Sequence, residues 1–294
     1  MTSQAMNIPA TVSDSKQHLT LYHILSKAAT SGTAGALAMG SNVLSLMWIR
    51  TVMKYQYKHG GNISNAFSKL YAEGGLPRFY RGLPFALVQA PLCRFGDTAA
   101  NTGVLIALND REETASQHVG FKTCVATAAA STFRVLLMPV DTFMINMQVN
   151  GRMQPLLNKL RTNGFGVLFH GSAAAASASM VGHFPWFATY NILDERLPEA
   201  DTTIGLLGRR AWIGFLSSIV SDTCSNLFWV VKVYKQSSKE VLSYPEVARK
   251  VISETGVSSL FFRGLETRIL ANGLQGLMFS VTWKYFEGAL SRPT

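Results

Sequence analysis

Three stretches of this chain repeat one pattern: EGGLPRFYRGL at 73–83, NGFGVLFHGSA at 163–173 and ETGVSSLFFRGL at 254–265. Their closing glycines, Gly82, Gly171 and Gly264, stand 89 and 93 residues apart. Between 23 and 28 residues before each comes a glutamine that ends an apolar stretch: Gln56, Gln148 and Gln236, spaced 92 and 88. A recurring period of this length means one supersecondary unit used several times. Three units therefore tile the chain at 22–112, 113–200 and 201–294, after a polar tail at 1–21.

Each unit holds two stretches suited to crossing a bilayer. A spanning helix takes about 20 mostly apolar residues, and the windows between Lys27 and Arg50 and from Gly171 to Leu193 contain no charge before Asp194 closes the second. Four further windows carry internal charge: 82–109 with Arg94 and Asp97, 123–151 with Arg134 and Asp141, 206–231 with Asp222, and 265–283 with Glu266 and Arg268. Charge at bilayer depth costs at least a few kcal/mol per residue, so such groups turn toward a bundle interior or a wet cavity. Six helices around a lumen are expected, in line with a chain that is 48% hydrophobic and only 15% charged.

Other classes find no support in the residues. There is no Rossmann fingerprint, phosphate-binding loop or zinc spacing, and no nucleophile–base set, so neither an enzyme nor a metal site is expected. Cys93, Cys124 and Cys224 are an odd number without a CxxC pair and are read as buried thiols. The first residues lack both a secretory apolar core and an Arg-rich presequence, so organellar targeting is expected to be internal. No cofactor and no nucleic-acid partner is expected.

A threefold repeat of helix, short helix, aromatic-basic-glycine and second helix resembles the mitochondrial carrier family, over residues 22–290. That family's odd helices carry Pro-x-Asp/Glu-x-x-Lys/Arg, usually with Gln four residues on. PVDTFMINMQ at 139–148 reproduces all of this except the base, which is Met144. Aligning the other units on their glutamines gives MWIRTVMKYQ at 47–56 and LFWVVKVYKQ at 227–236. The resemblance implies an all-α membrane protein with six transmembrane helices in three pseudo-symmetric repeats and short matrix-side helices. It also implies the inner mitochondrial membrane. Loops 54–81, 152–170 and 232–263 carry fourteen Lys or Arg against four acids, while 110–122 and 194–210 carry five against seven. The positive-inside rule then puts the basic loops in the matrix and both termini toward the intermembrane space.

In the family, the acid of one odd helix pairs with the base of the next to close the matrix side. On the glutamine alignment the acid positions hold Ile49, Asp141 and Trp229, and the base positions Val52, Met144 and Lys232. One pair survives, Asp141 with Lys232. Of the helix-kinking prolines only Pro139 remains, with Met47 and Leu227 in its place elsewhere. The even-helix gate motif is absent as well: its positions read Asn101 with Val104, Asn191 with Asp194, and Lys284 with Glu287.

Arg134 and Asp222 each lie seven residues before an acid position, so they are expected to face the lumen. Arg94 and Asp97 lie seven and four residues before Asn101, on the gate-bearing face of the second helix. Two bases and two acids suggest a neutralised interior, suited either to a small neutral or zwitterionic solute or to an ion-paired plug. The resemblance puts substrate contacts near Val88, Ala178 or Ser179, and Asn272. It also implies cardiolipin, a structural lipid, at Tyr80-Arg81-Gly82, Phe169-His170-Gly171 and Phe262-Arg263-Gly264, where glycine and a helix N-terminus suit phosphate. The same glycines also serve to turn the chain into the next helix. Loss at both gates favours a transport-impaired accessory subunit of a membrane assembly such as a respiratory-chain complex, partnered by cardiolipin and other inner-membrane subunits. The alternative is a divergent carrier exchanging a small neutral or zwitterionic metabolite.

Overall fold

The computed structural model describes residues 37–109, 119–198 and 202–290. The tail at 1–21, the start of the first apolar window and the termini lie outside these residues. Every regular element among them is helical. Unit one has α1 (37–59), α2 (Ile63–Phe79) and α3 (Leu83–Asn109). Unit two has α4 (Val119–Leu136), α5 (Met138–Asn150), α6 (Gln154–Asn163), a 3-10 turn at Phe165–Phe169 and α7 (Ser172–Arg196). Unit three has α8 (Thr203–Ser237), α9 (Tyr244–Thr255), α10 (Val257–Phe262) and α11 (Leu265–Leu290).

The short helices begin where local chemistry starts them. Asn62 caps α2 by accepting from the Asn65 amide at 2.8 Å, and Ser243 with Glu246 forms a capping box on α9. The long helices α3, α7, α8 and α11 have 27, 25, 35 and 26 residues. At 1.5 Å per residue each runs roughly 37–52 Å, more than the hydrocarbon thickness of a bilayer. By length and composition together, among the described residues Phe165–Arg196 passes as a span, and a second passes if Val125–Leu136 and Met138–Asn150, bent by 65°, count as one. The other long helices are diluted by polar and charged groups, several of which line the interior described below.

That bend falls at Leu137, with Pro139 in the first turn of α5. Proline removes a backbone donor and clashes with the preceding turn. Met47 and Leu227 keep theirs, and both α1 and α8 run through unbroken.

The units close on one another in a ring. Gly82, Gly171 and Gly264 have φ of 90°, 90° and 67°, conformations that L side chains rarely adopt. A Cβ on Gly82 would stand 3.1 Å from Met144 O in α5; on Gly171, 3.1 Å from Lys232 Cγ in α8; on Gly264, 2.9 Å from the Tyr57 ring in α1. Each unit thus abuts the first long helix of the next, and the third returns to the first. The largest buried cluster sits at this end of the bundle, joining Tyr57, Ile145, Val230, Tyr234, Val247 and Val251 from α1, α5, α8 and α9.

Candidate functional site

Asp141 and Lys232 face each other at the converging end. Lys232 Nζ lies 2.7 Å from Asp141 Oδ2, with both side chains more than nine-tenths buried. Gln89 of α3 donates to Asp141 Oδ1 at 2.7 Å, and Gln236 of α8 donates to Oδ2 at 3.3 Å. A buried carboxylate needs this many donors to offset its lost hydration. The Lys232 ammonium also stands 4.7 Å from the centre of the Trp229 ring.

Amides extend the joint between α5 and α8. Gln236 donates to Thr142 Oγ1 at 2.9 Å, Asn146 to Gln236 O at 3.1 Å and Asn150 to Ser237 O at 3.0 Å. Between α1 and α5, among the described residues, the side-chain hydrogen bonds are to sulfur: Gln148 Nε2 with Met47 Sδ at 3.3 Å and Lys54 Nζ with Met144 Sδ at 3.9 Å. Tyr57 and Lys58 of α1 reach Asn226 and Ser238 of α8 at 3.1 and 2.8 Å.

Geometry corrects the register of the first unit by one residue. Thr51 donates to Phe79 O and Thr142 to Leu168 O, each at 2.7 Å, and both acceptors lie three residues before a closing glycine. Gly82 packs on Met144 O as Gly264 packs on Met53 O. Arg50 and Met53, not Ile49 and Val52, therefore occupy the positions of Asp141 and Met144. Ile49 packs against Ala271 and Leu274 of α11, and Val52 against Ala66, Leu70 and Phe79. Gln56 donates to Gly61 O five residues on and accepts from Thr267 of α11, so it does not mark the register as Gln148 and Gln236 do.

Above the joint is a cavity of about 410 Å³. Arg50, Lys54, Arg134 and Lys232 line it against one carboxylate, Asp141, among the described residues. Asp222 is not in the lining; Arg268 Nη2 lies 2.8 Å from its Oδ1, and Asn272 donates to its Oδ2 at 2.6 Å. The side chains of Arg94 and Asp97 lie outside the described residues. Among the described residues the lining is richer in bases than the balance expected from the sequence, because Asp222 is bound by Arg268 outside it and the charges of Arg50 and Lys54 add to it. Their spacing of four was the available signal: two charges one turn apart in an apolar helix share a face, and that face must be the lumen. Ser179 and Asn272 line the cavity, with Arg134 Nη1 3.2 Å from Ser179 Oγ. Ala178 and Val88 do not; Val88 is 53% exposed and Gln89 takes its place. Of the other gate positions, Asp194 is held 2.5 Å from Arg209 at the joint of α7 and α8, while the side chains of Asn101, Lys284 and Glu287 lie outside the described residues.

The bases of the first and third aromatic-basic-glycine elements reach carbonyls of the neighbouring unit, Arg263 from a buried position and Arg81 from an exposed one. Arg263 is 4% exposed and donates to Tyr57 O and Lys58 O at 3.4 and 3.2 Å, the last carbonyls of α1. Arg81 donates to Gly151 O at 2.8 Å, and the fully buried Arg78 to Gln148 O and Val149 O at 2.8 and 2.9 Å, at the end of α5. In unit two that task falls to Lys159, which donates to Lys235 O and Ser238 O of α8 at 3.2 and 3.1 Å. Burial beside the Lys235 charge lowers its pKa to about 8. His170 is half-buried. Phe169 and Phe262 point outward, and Tyr80 is half-buried.

Residues 207–293, from α8 through α11, match the family model for mitochondrial carrier protein. No curated protein matches the chain. Members of that family are transporters rather than enzymes, and their place is the inner mitochondrial membrane. The match covers the third unit, where the chain is similar to mitochondrial carrier proteins; it supports a carrier-type membrane protein, in keeping with the ring of three units already described.

Proposed function

We propose that the chain crosses the inner membrane six times and exchanges a small solute through the central cavity, in a state closed at the matrix end. The observation that carries this reading is the cavity itself: about 410 Å³ of polar-lined space above a sealed joint, the size of a small-molecule site. An ion-paired plug would have filled that space with matched charge. The basic loops beside the joint support its matrix orientation, with both termini toward the intermembrane space. A single ionic latch, Asp141 with Lys232, supplemented by amides, replaces the three of the family. Cardiolipin would sit where α3, α7 and α11 begin, held by backbone amides next to exposed Phe169 and Phe262, since Arg81 and Arg263 serve carbonyls.

The reduced gates favour a second reading, an accessory subunit packed with other inner-membrane proteins. The test is purification in mild detergent followed by reconstitution into cardiolipin-containing liposomes. A free monomer that exchanges labelled solute supports the carrier. Stoichiometric co-migration with a respiratory complex, without exchange by the isolated chain, overturns it.

A further inference from the structure

We infer that Arg50 and Lys54 form a subsite for a small organic dianion, a dicarboxylate or a phosphate monoester, on the α1 wall of the cavity. This rests on the carrier reading for its role in passage and deepens it. The corrected register puts Arg50 where threefold equivalence puts Asp141 and Trp229, so a lock position has reversed its charge. A base there has no ionic counterpart in the ring, because the base position of the next unit is Met144. Nor has it one elsewhere: among the described residues no carboxylate lies within bridging distance of Arg50 or Lys54.

Their polar partners are few. Arg50 donates through Nη2 to Gln275 Oε1 of α11, and Lys54 reaches a thioether, Met144 Sδ, at 3.9 Å. Guanidinium has five N–H donors and ammonium three, so most remain for a ligand. Sulfur accepts weakly, and a lysine held against it is poised to exchange that contact for oxygen. Asp141, the remaining carboxylate in the described lining, already receives Lys232, Gln89 and Gln236. Like charges one turn apart repel, and an incoming group with two negative charges relieves that repulsion. Arg50 fits one oxyanion in the bidentate manner that carboxylate and phosphate share. Bases outnumber acids among the described lining residues, and low-dielectric walls strengthen their pull on an anion.

The experiment uses the full chain purified in detergent and its liposomes, with inorganic phosphate, glycerol 3-phosphate and malate as dianion probes, and alanine and glucose as zwitterionic and neutral controls, at matched ionic strength. A dianion is expected to raise the unfolding temperature where the controls do not. Arg50→Gln and Lys54→Gln should each weaken that binding about tenfold or more, a difference of about 1.4 kcal/mol. Arg50→Lys should retain part of it, and the exposed Arg161→Gln all of it. Preference between malate and glycerol 3-phosphate separates the two chemistries. The unmodified chain carries the first arm, so a variant that fails to fold does not remove the test. Dianions that shift nothing, or that shift both Gln variants as much as the unmodified chain, overturn the subsite. Exchange of alanine or glucose that no dianion inhibits also overturns it and leaves the carrier standing. Arg50-dependent binding without exchange of any solute keeps the subsite and overturns the carrier.

Discussion

Asp141 and Lys232 illustrate how a buried ion pair holds a joint without adding much stability. Each charge is desolvated, and the pair recovers that cost through its bridge and two glutamine donors. Removing one partner strands the other. Lys232→Met should therefore lower the unfolding temperature by roughly 5–10 °C, corresponding to about 3 kcal/mol. Adding Asp141→Leu should restore most of the loss, and additive losses in a double-mutant cycle by thermal unfolding would show that the two groups act separately.

At the scale of elements, three helix C-termini are closed by bases borrowed from the preceding unit: α5 by Arg78 and Arg81, α8 by Lys159, and α1 by Arg263. A cation at a helix C-terminus satisfies orphan carbonyls and the dipole's negative end. Arg263→Leu should raise amide hydrogen exchange in the last turn of α1 while leaving the last turn of α5, held by Arg78, as protected as before. Equal loosening of both would mean the ring answers as one body. Gly264→Ala tests the neighbouring contact: a positive φ and a Cβ 2.9 Å from the Tyr57 ring should together cost about 1–2 kcal/mol or more in unfolding measurements. The closing glycines were legible in the sequence because backbone geometry imposes residue type locally. The bases were legible as residues but not in their task, since their acceptors lie about 70 to 205 positions away and carbonyls leave no mark on side-chain pattern. For the same reason Asp141 is legible from its motif, whereas Arg50 and Lys54 are not, because Gln56 bonds Gly61 and Thr267 and so does not mark the register of α1.

Across the whole molecule the three units are alike in layout but not in how tightly they join. The joint of α5 with α8 combines an ion pair with four amide bonds, and α1 with α8 has two side-chain bonds. The joint of α1 with α5 has contacts to methionine sulfur, and sulfur accepts more weakly than oxygen. Interfaces open where differential free energy is smallest, so a carrier built this way should part first between α1 and α5, with α5 and α8 moving together. Spin labels make this measurable through the exposed positions His59, Arg152 and Lys239, beside the ends of α1, α5 and α8, after the three native cysteines are replaced. With His59→Cys and Arg152→Cys the distance distribution should shift outward when a transported solute is present. With Arg152→Cys and Lys239→Cys it should stay in place. Equal widening of both pairs would mean that the stitched joint opens as readily as the sulfur-lined one, and that the asymmetry of their contacts does not steer the motion.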